Sequence, residues 1–181
     1  MAIGTTLHRF VLSLSHVDRG IYESLDLRVA RHPSETLGYM LTRLLAYTYL
    51  YEEGIAFSKG GLSDTDSPAL SIHTLDGRLV AWIEVGVPSP ERLHKASKAS
   101  PRVAVVTHRG AALLTESLAG ATIHKKDQLE LYAVSEPLLA ALEARVEKTN
   151  DWALTFTEGS VYVTIGSETL TGTFDRLTLP G

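Results

Sequence analysis

The pattern of apolar and polar residues changes its period along the chain, and each change predicts a different element. Residues 5–31 alternate in two arms around a turn at Asp18-Arg19-Gly20, which predicts an antiparallel hairpin. From Leu37 to Leu45 the apolar residues recur at helical spacing. We therefore predict a helix that has Pro33 in its first turn and ends near Gly54.

The middle of the chain combines short strands with a helix. The pattern predicts strands over residues 55–58, 69–74, 78–86 and 102–108, and a helix over residues 90–100. Ser89 and Pro90 suit the cap and the first turn of that helix, and Pro101 follows its end. Because this helix leads into an apolar, β-branched strand, we expect a crossover that joins a parallel pair of strands.

The remainder of the chain adds two helices and four strands. The predicted elements are helices over residues 111–118 and 136–148, a strand over 129–134 and three antiparallel strands within 152–179. The whole pattern predicts a mixed α+β fold, with a hairpin at its start and a β meander at its end. With 181 residues and 44% hydrophobic content, the chain is expected to form a single domain over residues 1–181.

Composition and charge narrow the functional classes. The chain has no cysteine, which excludes disulfides, thiolate nucleophiles and thiolate metal sites. No stretch approaches the roughly 20 apolar residues that cross a membrane, so we expect a cytoplasmic protein without a membrane partner. A formal net charge of −4 argues against a protein that coats nucleic acid through charge alone.

One carboxylate interrupts the strand predicted over residues 78–86. One face of this strand is Leu79, Ala81, Ile83 and Val85, and the other is Val80, Trp82 and Glu84. Two apolar faces predict a covered central strand, where an unpaired Glu84 carboxylate is strongly unfavourable. The helix that follows presents Arg92, Lys95 and Lys98 at three-residue spacing, so one of these cations can pair with Glu84.

These residues allow two interpretations, and both stay open. In the first interpretation, Glu84 forms a structural salt bridge with one of these cations. In the second, Asp66 converges with Glu84 on one Mg²⁺ or Mn²⁺, and a lysine of the helix that follows orients or deprotonates an attacking water. Asp66 belongs to a turn-rich loop, KGGLSDTDSPA, that also carries Asp64. A local basic patch, which can meet the phosphates of nucleic acid or remain solvated surface, consists of Arg92, Lys95, Lys98 and Arg102.

Three long motifs follow one another as RVARHPSETLGYMLTRLLAYTYLYEEG, DTDSPAL and WIEVGVPSPERLHKAS. They resemble the YaeQ family of bacterial proteins, and the resemblance runs along essentially the whole chain. It implies a variant of the PD-(D/E)xK, or restriction-endonuclease-like, core: a helix, three strands, a helix and a strand. The hairpin and the meander then supply added antiparallel strands. The resemblance does not supply an established reaction.

The resemblance also implies roles for individual residues. It puts the acidic residues of the nuclease pattern at Glu35, Asp66 and Glu84. The lysine of the pattern stands two positions after the strand carboxylate, where this chain has Gly86. The implied substitute is Lys95 from the following helix, or less favourably Arg92, and Gly86 leaves room for that approach.

Residues around the long helix are further candidates. Arg31 and His32 precede this helix and either line the same cleft or only flank the helix start. Arg43 lies two turns beyond Glu35 and is expected to pair with it or with Tyr39. The seven histidines show no metal-ligand spacing, so each is interpreted as a surface residue or a satisfied core residue.

Two functional hypotheses follow. The first is a nuclease or phosphodiesterase that depends on Mg²⁺ or Mn²⁺ and acts on nucleic acid through Asp66, Glu84 and Lys95, with Glu35 assisting. The second is a non-catalytic binding or regulatory protein that has kept the nuclease-like cleft. Gly86 and the acidic net charge favour the second hypothesis, and the convergent carboxylates favour the first.

Overall fold

An antiparallel hairpin of two long strands begins the fold. The computed structural model of the chain describes residues 4–59 and 66–179. β1 (Thr6–His16) pairs with β2 (Ile21–Arg31) over the full length of both strands. A 3₁₀ turn over Val17–Arg19 and a left-handed Gly20, with φ of +66°, connect them. The predicted hairpin and its turn are therefore confirmed.

The long helix starts later than predicted. α1 (Leu37–Tyr49) is capped by Thr36, whose hydroxyl accepts a hydrogen bond from the Tyr39 N–H at 3.1 Å. Pro33 thus precedes the helix, and its predicted place in the first turn was wrong. Residues 40–46 are all buried, so the middle of α1 is covered on every side.

The remaining elements follow the predicted order. They are β3 (Ile55–Phe57), β4 (Leu70–His73), β5 (Leu79–Val85), α2 (Pro90–Ala99), β6 (Val103–Thr107), α3 (Ala111–Ala119), β7 (Glu130–Val134), α4 (Glu136–Glu143), β8 (Thr149–Thr157), β9 (Ser160–Ile165) and β10 (Glu168–Leu177). The fourth helix is shorter than the predicted span of 136–148. From α1 to β6 the elements run helix, three strands, helix, strand.

A ten-stranded mixed sheet joins both halves of the chain. Its strand order is β2-β1-β8-β9-β10-β7-β6-β5-β4-β3. β5, β6 and β7 are parallel to one another, which confirms the predicted crossover, and β1 is parallel to β8. The first part of β10 pairs with β9 and its last part with β7, so this strand links the C-terminal meander to the mixed half.

Apolar cores cover both faces of β5. The larger core includes buried residues of α1 and α4, and the smaller one includes those of α2 and α3. Ile83 belongs to the first and Trp82 to the second, as the alternation predicts. Next to a bulge at Ile72-His73, however, Leu79 packs with Trp82, and Val80 packs with the larger core. The predicted faces of these two residues were therefore wrong.

The described residues bear on two further predictions. None of the helices they form has the length and apolar character that a membrane span needs. Asp64, in the loop before β4, lies outside the described residues, whereas Asp66 is among them.

Candidate functional site

Glu84 is a buried carboxylate with two donors on one oxygen. It lies on β5 with only 5% of its surface exposed. Its Oε1 accepts a hydrogen bond from Trp82 Nε1 at 2.6 Å and one from Arg92 Nε at 2.7 Å. Burial raises the pKa of Glu84, and the bonds from Trp82 and Arg92 oppose this shift without cancelling it. The predicted partner for Glu84 is therefore present, and it is an arginine.

Arg92 spans the space between β5 and the loop before β4. It lies in the first turn of α2, where Ser89 caps the helix by accepting from the Arg92 N–H at 3.2 Å. Its Nη2 donates to the Ser67 carbonyl at 2.8 Å, and its guanidinium lies 6.0 Å from the centre of the Trp82 ring. A fixed positive charge thus separates the Glu84 carboxylate from the loop that carries Asp66.

Lys95 contacts Asp66 instead of Glu84. Its Nζ lies 3.3 Å from Asp66 Oδ1, and the two side chains are 64% and 86% exposed. Arg92, one turn earlier on α2, holds the place beside Glu84 that the sequence analysis assigned first to Lys95. Asp66 and Lys95 therefore form a solvent-exposed pair at the edge of the site.

The predicted free space beside Gly86 is present, but the backbone of Gly86 has a conformation that favours glycine. A Cβ atom placed on it would lie 3.9 Å from Tyr39 Cε2, so no side chain crowds the position. Its φ of +100° is a conformation that L residues rarely adopt. A lysine at this position would therefore strain the backbone.

Glu35 and Arg43 form a buried ion pair. Arg43 Nη2 lies 2.5 Å from Glu35 Oε1, and the two side chains are 6% and 1% exposed. Arg43 Nη2 also donates to the Ala30 carbonyl at 2.8 Å, which ties α1 to β2. Of the two partners predicted for Arg43, Glu35 is thus the one that it contacts directly.

Arg31 and His32 contribute to the start of α1. Arg31 Nε donates to the Glu35 backbone carbonyl at 2.9 Å. His32 Nδ1 lies 2.7 Å from the Ser34 hydroxyl and also accepts from the Ser34 N–H at 3.1 Å. Both residues therefore organise the segment before the helix, which is the structural alternative given in the sequence analysis.

Tyr39 lies between the two ion pairs and was missed as a site residue. Burial raises the pKa of Tyr39, the nearby charges of Glu84 and Glu35 add to this shift, and those of Arg43 and Arg92 oppose it. The signal was its position in the first turn of α1, four residues after Glu35 and four before Arg43. The site thus brings two carboxylates and two arginines close to one tyrosine ring.

The predicted basic patch is largely compensated by carboxylates. Besides the pairs of Arg92 and Lys95, Arg102 Nε lies 2.6 Å from Glu130 Oε2 and its Nη1 lies 3.1 Å from Glu52 Oε1. Lys98 is exposed in the last turn of α2. Such compensation weakens the attraction of this surface for phosphates.

A family model described as "YaeQ protein" matches residues 1–174. The chain belongs to the YaeQ family. It is 27% identical over 165 residues to the "Uncharacterized protein YaeQ" of Escherichia coli (strain K12), and 90% of each chain is covered. It is also 27% identical over 164 residues to the protein of the same description from Salmonella typhi, again with 90% of each chain covered.

Two solved YaeQ structures have a similar fold. The crystal structure of YaeQ protein from Pseudomonas syringae has a TM-score of 0.85 and 34% identity, with 96% of each chain covered. The structure of YaeQ protein from Xanthomonas axonopodis pv. citri has a TM-score of 0.87 and 26% identity, with coverage of 97% of this chain and 99% of that one. The likeness to the YaeQ fold therefore extends over nearly the whole length.

The site of this YaeQ family member does not fit Mg²⁺ or Mn²⁺ in the observed arrangement. Within residues 4–59 and 66–179, no three His, Asp or Glu side chains form a group that could hold a metal ion. Glu84 Oε1 is engaged by two N–H donors, and Asp66 Oδ1 faces the Lys95 ammonium. Hard cations need such oxygens as ligands. The donor set therefore favours the arginine over a divalent ion.

Two histidines of the YaeQ chain are not satisfied core residues. His16 is 2% exposed, and neither of its ring nitrogens has a hydrogen-bond partner in the described part of the chain; the same holds for His108 Nδ1. Burial lowers the pKa of both side chains. The sequence interpretation was therefore wrong for His16, whereas His108 is only half-buried. His8 also has a buried Nε2 without a partner among the described residues, although its Nδ1 contacts the Glu147 carbonyl at 2.9 Å.

Proposed function

We propose that this YaeQ family member is a non-catalytic binding or regulatory protein that has kept a nuclease-like cleft. The order of elements from α1 to β6 supports the relationship to the PD-(D/E)xK core. So do the positions of Asp66 before β4 and Glu84 near the end of β5, because β4 and β5 are antiparallel neighbours. The cleft therefore resembles that of a nuclease in its architecture, but its residues do not carry out the nuclease reaction.

The contact between Arg92 and Glu84 carries this proposal. In a metal-dependent hydrolase the strand carboxylate has to bind the cation that stabilises charge on the phosphoryl oxygen. Here Glu84 Oε1 accepts from Arg92 Nε at 2.7 Å and from Trp82 Nε1 at 2.6 Å. A divalent ion would have to displace a partly buried, hydrogen-bonded guanidinium to reach that oxygen.

The position of the water-activating lysine gives independent support. Gly86 stands there, and its φ of +100° disfavours any side chain. Lys95, the expected substitute, lies on Asp66 with its side chain 64% exposed. Its ammonium therefore contacts Asp66, while Arg92 occupies the place beside Glu84 that the water-activating lysine would need.

The competing hypothesis is a nuclease or phosphodiesterase dependent on Mg²⁺ or Mn²⁺. It requires Arg92 to leave Glu84 when the metal and the nucleic acid bind. Incubation of the wild-type protein with labelled single-stranded DNA, duplex DNA and RNA tests it, in the presence of each metal in turn. We expect no cleavage above the level of a Glu84→Gln preparation.

The same assay defines what overturns the proposal. Cleavage that depends on the metal and disappears in Glu84→Gln would establish the nuclease. Lys148→Ala is the matched control, because Lys148 is exposed and lies before β8, outside the basic patch and the site. Cleavage that survives Glu84→Gln would come from a contaminant.

A further inference from the structure

A groove lies beside the site, on the face of β3, β4 and β5 that is opposite to α1. Its volume is about 500 Å³. Leu79 and the exposed edge of Trp82, which is 6% exposed, contribute apolar surface to it, and Ser71 and His73 line it from β4. Ser67, whose carbonyl binds Arg92, also lines the groove, so the groove and the site are continuous.

The topology explains why no helix formed by the described residues covers this face. Ala56, Ser71 and Trp82 lie side by side across β3, β4 and β5, because each is paired with its neighbour in the sheet. The core under α2 and α3 contains residues of β5, β6 and β7, but no described residue of β3 or β4. The opposite face of β3 and β4 packs in the larger core with α1. Two strands therefore project beyond the helix layer and leave a floor of small side chains.

The groove combines an apolar wall with polar and cationic groups. The Ser71 hydroxyl lies 3.4 Å from His73 Nδ1, and both side chains face the groove. Lys59, at the end of the described segment after β3, adds an exposed cation. Asp66 also lines the groove, but its carboxylate is offset by Lys95 at 3.3 Å. Pockets of this size and mixed lining are typical of small-molecule sites.

We propose that this groove binds a small anion with a planar apolar body, of the class of nucleoside monophosphates. This inference rests on the proposed non-catalytic binding role and names its ligand class. The apolar body lies on the floor of Ala56 and Ser71, against the wall formed by Leu79 and the exposed edge of Trp82, and the phosphate faces Lys59 and His73. A single phosphate needs only the Lys59 ammonium and nearby hydrogen-bonding groups, whereas a polymer needs the broad basic surface that carboxylates compensate here.

Calorimetry with AMP, adenosine and inorganic phosphate tests the inference on the full chain. We expect AMP to bind at least about tenfold more tightly than either fragment, because only AMP uses the wall and the cation together. Ser71→Phe fills the floor with a residue that strands accommodate well, and it should abolish AMP binding. Lys59→Ala should weaken AMP binding by about tenfold.

Controls separate this inference from the proposed function. Lys98→Ala, on α2 outside the groove lining, should bind AMP as the wild type does, and circular dichroism establishes that Ser71→Phe is folded. If AMP binds no more tightly than phosphate or adenosine, or if a folded Ser71→Phe still binds it, the inference is wrong. That outcome leaves the non-catalytic proposal standing, since only Glu84-dependent cleavage overturns the latter.

Discussion

Glu84 and Glu130 are two carboxylates with similar hydrogen-bond partners, but their pKa values are shifted in opposite directions. Glu84 on β5 accepts hydrogen bonds from Trp82 and Arg92, and Glu130 on β7 accepts them from Tyr132 and Arg102. Burial raises the pKa of Glu84, and its donors do not cancel that effect. Burial also acts to raise the pKa of Glu130, but the hydrogen bond and charge of Arg102, the bond from Tyr132 and the charge of Arg176 together outweigh it, so the pKa of Glu130 is lowered.

The geometry of the two arginines accounts for this difference. Arg102 binds both oxygens of Glu130, with Nε at 2.6 Å from one and Nη2 at 3.0 Å from the other. Arg92 contacts Glu84 through Nε and directs its Nη2 to the Ser67 carbonyl. Glu130 is therefore the acid of a well-satisfied structural pair, whereas Glu84 keeps a high proton affinity. Perturbed acids of the second kind are typical of functional sites.

Arg92→Ala should have the largest effect on stability. It leaves the buried Glu84 without its cation, and we expect a loss of about 3 kcal/mol in the free energy of unfolding at neutral pH. The loss should shrink as the pH falls, because Glu84 then takes up a proton. Urea denaturation measures it, and the Arg92→Ala/Glu84→Gln double variant should recover most of the stability. A double variant as unstable as Arg92→Ala would show that packing, and not charge, is responsible.

Arg102→Ala should cost less, about 2 kcal/mol. Glu130 keeps the bond from Tyr132 at 3.0 Å, and Arg176 remains close, with its Nη1 3.2 Å from the Tyr132 hydroxyl. The loss should stay nearly constant between pH 5 and pH 8 in the same urea experiment, in contrast to Arg92→Ala. If its pH dependence matched that of Arg92→Ala, the distinction between the two carboxylates would be wrong.

Glu84→Gln and Glu130→Gln should change the pH profile of stability in opposite directions, by about 1 kcal/mol each. Since the pKa of Glu84 is raised in the native state, the contribution of Glu84 to wild-type stability declines as the pH rises above about 4.5, and Glu84→Gln removes this contribution. Since the pKa of Glu130 is lowered, its contribution is lost as the pH falls below about 4.5, and Glu130→Gln removes that loss. Thermal melts across this range measure both slopes, and slopes of the same sign would contradict the account.

Lys95→Ala should have the smallest effect, less than about 0.5 kcal/mol, because exposed ion pairs contribute little. It should also leave the pKa of Glu84 unchanged, since Lys95 lies on Asp66 and Arg92 lies on Glu84. Carbon-detected NMR of the glutamate carboxyl groups reports this pKa directly. A clear shift of the Glu84 pKa in Lys95→Ala would instead show that Lys95 lies beside Glu84.

Sequence patterns predicted the burial of Glu84 because strand alternation and the Ser89-Pro90 helix start are local signals. The choice between Arg92 and Lys95 was not accessible in this way. It depends on how the segment from Gly86 to Ser89 sets α2 over β5, and on the Ser67 carbonyl, which holds the second side of the guanidinium. The partner of Glu84 is therefore set by contacts between residues that are distant in the sequence.

The start of α1 and the groove were missed for related reasons. Pro33 is a reasonable first-turn residue, but the Thr36 hydroxyl supplies the cap, and Arg31 is bound to the Glu35 carbonyl before the helix begins. The groove exists because β3 and β4 extend beyond the helix layer, which follows from the sheet order and not from any local pattern.

The most direct test of the account is a calorimetric titration of the wild type and Glu84→Gln with millimolar Mn²⁺, repeated with Mg²⁺. Because Arg92 and Trp82 hold Glu84 Oε1 at 2.7 and 2.6 Å, we expect the same featureless trace from both proteins. A saturable heat in the wild type that disappears in Glu84→Gln would contradict the account, since it would show that a divalent ion displaces Arg92.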